Sequence, residues 1–460
     1  MIRILPLFLI LLLVAPARGE VELSADQLYV RDIYAELIAI DTTEAHGSTT
    51  KAAEAVAAHL RTAGYTDDEI RALGPKPAKG NLVARLAGSG ENKPLLLLAH
   101  LDVVEAKRED WTVDPFQFLE RDGFFYGRGS LDDKAMAAIF TGIMLRLKRD
   151  GVQPNRDVIL ALTADEEGGP DNGVDWLLKN HRDLVDAAMV INEGGGGRIR
   201  GGRYLMNGVQ AAEKTYTNFR LEVTNKGGHS SLPTRDNAIY HLAHALSRIE
   251  AFDFPVELNE ITRGFFAAAA RIEGGTLGAD LAAVLISPPS ASAVERLGEY
   301  PEYNSLMRTT CVATMLEGGH APNALPQMAR ANINCRVLPG HKPEEVRQQL
   351  VDAIDDEQVI VSETEPSTAA PASPIDAELM QTIMQVSEGM WPNVPVVPTM
   401  STGASDSRYF RNAGIPAYGV SGLFVDVDDI RAHGRDERLG VRQFFEGNEF
   451  LSRLVTALTK

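Results

Sequence analysis

Three short apolar runs in this chain each end in acid or histidine. "KPLLLLAHLDVV" carries His100 and Asp102, "RDVILALTADEEGG" carries Asp165, Glu166 and Glu167, and "AAMVINEGGGG" carries Glu193. Apolar runs of this length, bounded by polar residues, read as buried strands. Residues i and i+2 of a strand share a face, so His100 and Asp102 project together from a strand's carboxyl end. Helical patterns separate the runs. "AAEAVAAHLRTAGY" ends at Gly64, "MAAIFTGIMLRLKRDG" ends at Gly151, and "DNGVDWLLKNHRDL" opens with an N-cap expected at Asp171. Alternating strands and helices predict an α/β fold, with a mostly parallel sheet flanked by helices. Such sheets bind ligands at the carboxyl ends of their strands, where these polar residues fall.

The pattern changes near Ala211. "KTYTNFRLEVTNKGG" and "RTTCVATMLEGG" read as amphipathic, antiparallel-type strands, with the helix "NAIYHLAHALSRIEAF" between them. The expected division is a leader over 1–19, a catalytic domain over 20–211, an inserted α+β unit over 212–341, and the rest of the catalytic domain over 342–460. Residues 252–305 read as an extended loop-and-helix elaboration that periodicity does not place. The leader "MIRILPLFLILLLVAPARGE" has an early Arg, an apolar run and small residues around Ala15 and Ala17. That is a secretory signal pattern, so a secreted or periplasmic protein with no stable membrane anchor after cleavage is expected. Cys311 and Cys335 are the two cysteines; an exported chain could pair them, and two cannot build a Cys-based zinc cluster. A net charge of -18 argues against nucleic-acid partners and anionic membrane surfaces.

Two further polar clusters fall where strands should end: "GRGSLDDKA", Gly127 to Ala135, and "RAHGRDERLG", with His433. Carboxylates crowded together in a buried place cannot all ionise without a compensating cation. His and carboxylate ligands suit zinc, and two metals side by side need a bridging carboxylate. One His and one Glu for each ion, with one Asp shared, would divide the inventory evenly, leaving the other Glu of the "EE" pair as a general base. The chain has no His-Glu-x-x-His, and no Gly-x-Ser-x-Gly in a strand–helix setting, so a zincin or serine hydrolase does not fit.

"HLDVV", "GRGSLDDK", "ADEEGG", "NEGG", "GGHSSLP" and "AHGRDER" together, in this order, resemble the di-zinc exopeptidases of metallopeptidase family twenty. That family includes carboxypeptidase G, carnosinase-like dipeptidases, aminoacylase and succinyl-diaminopimelate desuccinylase. The resemblance implies a zinc-exopeptidase catalytic domain with an inserted ferredoxin-like lid or dimerisation domain. It implies that His100 and Glu193 hold one Zn2+, that Glu167 and His433 hold the other, and that Asp132 bridges them, with Co2+ or Mn2+ as substitutes. Asp102 would orient His100, Glu166 would be the general base, and the Asp132–Asp133 peptide bond would be cis. His229 of "GGHSSLP" would help stabilise the oxyanion, reaching into a partner's site in dimeric members; a homodimer through the inserted unit stays open. Asn323 and Arg336 of "PNALPQMARANINCRVLPG", and Gly403 of "STGASDSRYF", would bind substrate, with Arg336 on its carboxylate. The chain departs from many members at Ala135, where they have Gly, and in the stretch 252–305. The implied reaction is cleavage of an amide or peptide bond beside a free carboxylate, of carboxypeptidase or dipeptidase type. The alternatives are an N-acyl-amino-acid amidohydrolase of aminoacylase or desuccinylase type, and a non-catalytic binding protein on the same fold.

Overall fold

A computed structural model describes residues 23–460; the expected leader lies outside the described residues. The large sheet has ten strands. At its centre Arg156–Thr163, Asn92–His100, Met189–Asn192 and Ala417–Gly419 lie parallel in that order. Antiparallel strands flank this centre: Ile70–Lys76 and Lys79–Leu86 on one side, Arg203–Glu213 and Gly196–Arg200 on the other.

The leucine run explains why the sheet is covered twice. Leu95, Leu97 and Ala99 face one core with the helices Ala25–Ala39, Lys134–Arg149 and Val441–Leu458. Leu96 and Leu98 face another with Gly173–Asn180 and Ser407–Asn412. Alternation along a strand puts neighbours on opposite faces, and each buried leucine contributes about 1.5–3 kcal/mol. The third helical pattern does not begin as expected: Asn172, not Asp171, caps Gly173–Asn180, its side chain accepting from the Asp175 amide at 3.0 Å. Asp171 instead pairs with Lys76 across the surface.

A second sheet is antiparallel, in the order Thr310–Gly318, Met328–Val337, Thr215–Thr224, Ile360–Glu363. The helices Ala238–Glu250 and Pro343–Ile354 pack on its face, with Leu242 and Leu350 over Phe219, Leu221 and Ile333. The last helix and last strand of this unit lie beyond residue 341. Thr310–Gly318 is an edge strand, and Val312, Met315 and Leu316 on it are exposed. Cys311 and Cys335 are register partners on adjacent strands and form a disulfide.

The stretch left unplaced by periodicity is helical: Glu260–Glu273, Gly275–Ala283, Ala291–Gly298 and Pro301–Met307. Ile261, Phe265 and Phe266 join the core of the large sheet rather than that of the small unit. The first helix closes on strand Val396–Ser401, where a Cβ on Gly264 would lie 2.7 Å from the Pro398 ring. Among the described residues, no helix is long and apolar enough to cross a membrane.

Candidate active site

Register brings the polar strand ends together. His100 is level with Thr163, the last residue before the 164–169 loop, and Leu97 is level with Ile191, so Glu193 follows beside His100. Asp132 arrives from the opposite direction, just before the helix that starts at Lys134. The Asp132–Asp133 peptide bond is cis.

Asp132 sits between two histidines. Its Oδ1 lies 2.9 Å from His100 Nε2 and its Oδ2 3.1 Å from His433 Nε2. Glu193 is 4.0 Å from His100 Nε2, and Glu167 is 2.9 Å from His433 Nε2. Donor atoms of His100, Glu166 and Glu193 all fall within 4.8 Å of one another, as do those of His100, Asp132 and Glu167. The cluster is therefore one His and one Glu on each side of a shared carboxylate, with Glu166 beside the His100 group.

The Asp102 carboxylate does more than face the His100 ring. The ring Nδ1 donates to the Asp102 backbone carbonyl at 3.0 Å, while the carboxylate is 3.7 Å away. The carboxylate accepts instead from the Glu166 and Glu167 amides, at 3.1 and 3.0 Å. One strand end thus fixes both the imidazole and the loop carrying the two glutamates. Asp165 holds that loop from below: it adopts a left-handed φ of 57° and pairs with Lys79 at 2.5 Å.

Sequence reasoning missed the support behind the cluster. Glu437 is fully buried and pairs with Arg128 at 2.5 Å. It also accepts from the amides of Gly129, Leu131 and Asp132, at 3.3, 2.7 and 3.1 Å. Arg128 in turn donates to the carbonyls of His433 and Gly434, at 3.3 and 3.0 Å. The pair ties "GRGSLDDK" to "AHGRDER", and the only signal for it was one Arg and one Glu inside the two motifs. A second missed support is Asn172, which donates to the Asp165 carbonyl at 3.0 Å and to Asp406 at 2.6 Å.

The electrostatics are those of acids crowded out of water. Burial raises Glu166 and Glu193 well above the usual carboxylate range, and neighbouring carboxylates add to the rise. Burial also raises Asp133. Hydrogen bonds to Asp132 and Glu167 push His433 up to about 10. Burial opposes the charged form of His100, but its bonds to Asp102 and Asp132 outweigh it. A donor set of two imidazoles and several desolvated carboxylates fits divalent cations.

The remaining predicted residues stand apart from the cluster. His229 is exposed on the small unit, its Nδ1 accepting from Ser231 Oγ at 2.8 Å. Asn323 is next to it, its carbonyl accepting from the Ser230 amide at 3.1 Å. Arg336 lies over the Tyr216 ring at 4.7 Å and pairs with no carboxylate among the described residues. The Gly403 amide donates to Ser401 Oγ at 3.0 Å. None of the four makes a hydrogen bond or ion pair to the cluster. A cavity of about 470 Å³ opens beside Asp132 and Glu193.

Known proteins resemble this chain in sequence and in fold. The description "Peptidase family M20/M25/M40" matches residues 96–457. An N-fatty-acyl-amino acid synthase/hydrolase of Xenopus tropicalis is 33% identical over 364 residues, 77% of this chain and 70% of that protein. A probable carboxypeptidase S-like protein of Dictyostelium discoideum is 30% identical over 392 residues, 82% of this chain and 74% of that protein. The solved structure of an M20 family metallo-carboxypeptidase from Sulfolobus solfataricus shares the fold, with a TM-score of 0.68 at 20% identity over 94% of this chain and 99% of that one. Matched over residues 96–457, with a His and carboxylate cluster suited to metal, the chain belongs to peptidase family M20/M25/M40 and is a metallopeptidase-type hydrolase.

Proposed function

We propose that the protein hydrolyses an amide bond whose leaving amine carries a free carboxylate, using two zinc ions. His100 and Glu193 hold one ion, Glu167 and His433 hold the other, and Asp132 is shared. The observation that carries this reading is Asp132 itself, with one oxygen on each histidine at 2.9 and 3.1 Å. When bound, the ions supply a water of lowered pKa and polarise the scissile carbonyl. Glu166 stands beside this group with no hydrogen bond from its own carboxylate among the described residues. It takes the water's proton and passes it to the leaving amine. Asp102 keeps Glu166 in place through its backbone amide. Arg336, a cation without a carboxylate, takes the substrate's free carboxylate, with Asn323 and the Gly403 backbone as further contacts. His229 supports the oxyanion, from its own lid or from that of a second copy.

Peptides and N-acyl amino acids both satisfy this chemistry. The second class is favoured by the cavity beside the cluster and by the relative named an N-fatty-acyl-amino acid synthase/hydrolase. A homodimer through the inserted unit is supported by its apolar edge strand, where Met315 and Leu316 are each 71% exposed. Export is supported by the leader pattern and the Cys311–Cys335 disulfide. The test is Glu166→Gln: turnover should be lost while bound metal is retained. A variant that turns over normally would remove Glu166 from the mechanism.

A further inference from the structure

The helices between Glu260 and Met307 contribute nothing to the metal-type cluster, yet two of them wall the cavity beside it. Phe265 comes from the first helix and Leu306 from the last. Both are almost fully buried, at 3% and 4% exposure, so this wall is built rigidly. Leu131, Met136, Met400 and Leu423 continue the apolar lining. Gly194–Gly197, which follow directly from Glu193, line it as well. Gly194, Gly195 and Gly196 take positive φ values of 91°, 64° and 69°, which glycine adopts at no steric cost. Arg198 and Glu302 also border the cavity; they pair with each other at 2.5 Å and are partly exposed, so they mark its rim.

A substrate with its scissile carbonyl at Asp132 and Glu193 extends two arms. One is the leaving amino acid with its carboxylate; the other is the acyl group. The cavity cannot suit the carboxylate. Its free charges are the acids of the cluster itself, its one cation is already paired, and Arg336 is not among its lining residues. A carboxylate there would be desolvated with no free cationic side chain to pair with. An apolar chain meets leucine, methionine, phenylalanine and glycine backbone, and the polar part of the lining outside the cluster and the rim pair is neutral: Gln210, Thr399, Ser401, Thr402 and Ser421. A volume of about 470 Å³ is within the range of ligand pockets, roughly 300–1,000 Å³.

Building on the proposed amide hydrolysis, we infer that this cavity receives an apolar acyl chain of the substrate, and that Phe265 and Leu306 set the chain length it accepts. The inserted helices are then the selectivity element of the enzyme.

The test separates binding from reaction. The Glu166→Gln protein, loaded with zinc, is titrated calorimetrically with acetyl-, octanoyl- and dodecanoyl-phenylalanine. Affinity should rise roughly three- to fourfold per methylene until the cavity is full. Flat affinity across the series overturns the inference, whether or not the wild-type enzyme hydrolyses these compounds. Chain-dependent binding without wild-type hydrolysis leaves the acyl cavity standing and refutes the proposed reaction. In the otherwise wild-type enzyme, Leu306→Trp should lower the dodecanoyl-to-acetyl ratio of kcat/KM by about tenfold or more, by occupying the cavity. Phe265→Leu, which deepens the cavity, should move the optimum to longer chains. An unchanged chain-length profile in both variants overturns the assignment of these two residues.

Discussion

Removing Arg128 tests whether the buried pair behind the cluster holds the site together. The Arg128 and Glu437 side chains are 3% and 0% exposed, and their contact is 2.5 Å. In Arg128→Met, Glu437 keeps three backbone donors but loses its only charged partner. Deleting one member of a buried pair costs about 3–5 kcal/mol, because the other charge stays uncompensated. That is a large part of the roughly 5–15 kcal/mol of a typical fold. The same change releases the His433 and Gly434 carbonyls, which Arg128 holds at 3.3 and 3.0 Å. Supports of this kind are worth about 10–100-fold in metal affinity. Urea unfolding of the zinc-free protein reads the first effect, and competition with a chromophoric chelator reads the second. The double variant Arg128→Met with Glu437→Met removes both charges and should regain much of the stability but not the metal affinity. A single-variant loss below about 1 kcal/mol, with unchanged zinc affinity, would refute the reasoning.

Other perturbations reach other parts of the molecule. Lys214 is fully buried where the chain crosses into the small unit, its ammonium donating to Thr310 Oγ1 at 3.2 Å, and burial holds its pKa down to about 7. The unfolded chain binds this proton up to its usual 10.5 and the folded chain does not, so its contribution to stability rises with pH between about 7 and 10.5. Lys214→Met should therefore stabilise by about 2–4 kcal/mol at pH 6 and by progressively less towards pH 10, read as the difference between two unfolding series. Replacing Cys311 and Cys335 together by Ser opens a loop spanning 24 positions and should destabilise the small unit by about 3 kcal/mol; differential scanning calorimetry with unchanged transitions would contradict this. Asp102→Ala frees the Glu166 and Glu167 amides and should lower kcat by more than it raises KM; a pure KM effect would assign Asp102 to substrate binding.

Most of the cluster was legible because strand periodicity and short-range order place it. His100, the two glutamates and Glu193 end runs whose apolar residues alternate between two cores, so their position at one sheet edge follows from the pattern. The choice of Asp132 within "GRGSLDDKA" and the role of His433 needed the family resemblance, since each sits in an irregular loop with no period of its own. The supports were hidden for a different reason. Arg128 and Glu437 meet across 309 positions of chain, and one Arg and one Glu in polar motifs look like solvated charges. The Asn172 cap was misassigned to Asp171 because both residues can cap, and the choice depends on Asp171 reaching Lys76. The helices between Glu260 and Met307 could not be placed because three of them span only 9, 8 and 7 residues, and because the first packs on Val396–Ser401, far ahead in sequence.

The central claim is a two-metal hydrolase organised around Asp132. It is tested by measuring metal content and hydrolysis on one preparation of the protein without residues 1–19, before and after chelation. The account predicts about two zinc ions per chain and chelator-sensitive release of a free amino acid from an N-acyl amino acid or a peptide, restored by added zinc. Asp132→Ala should retain neither ion stably. A protein that binds no metal and releases no amino acid from either substrate class would contradict it.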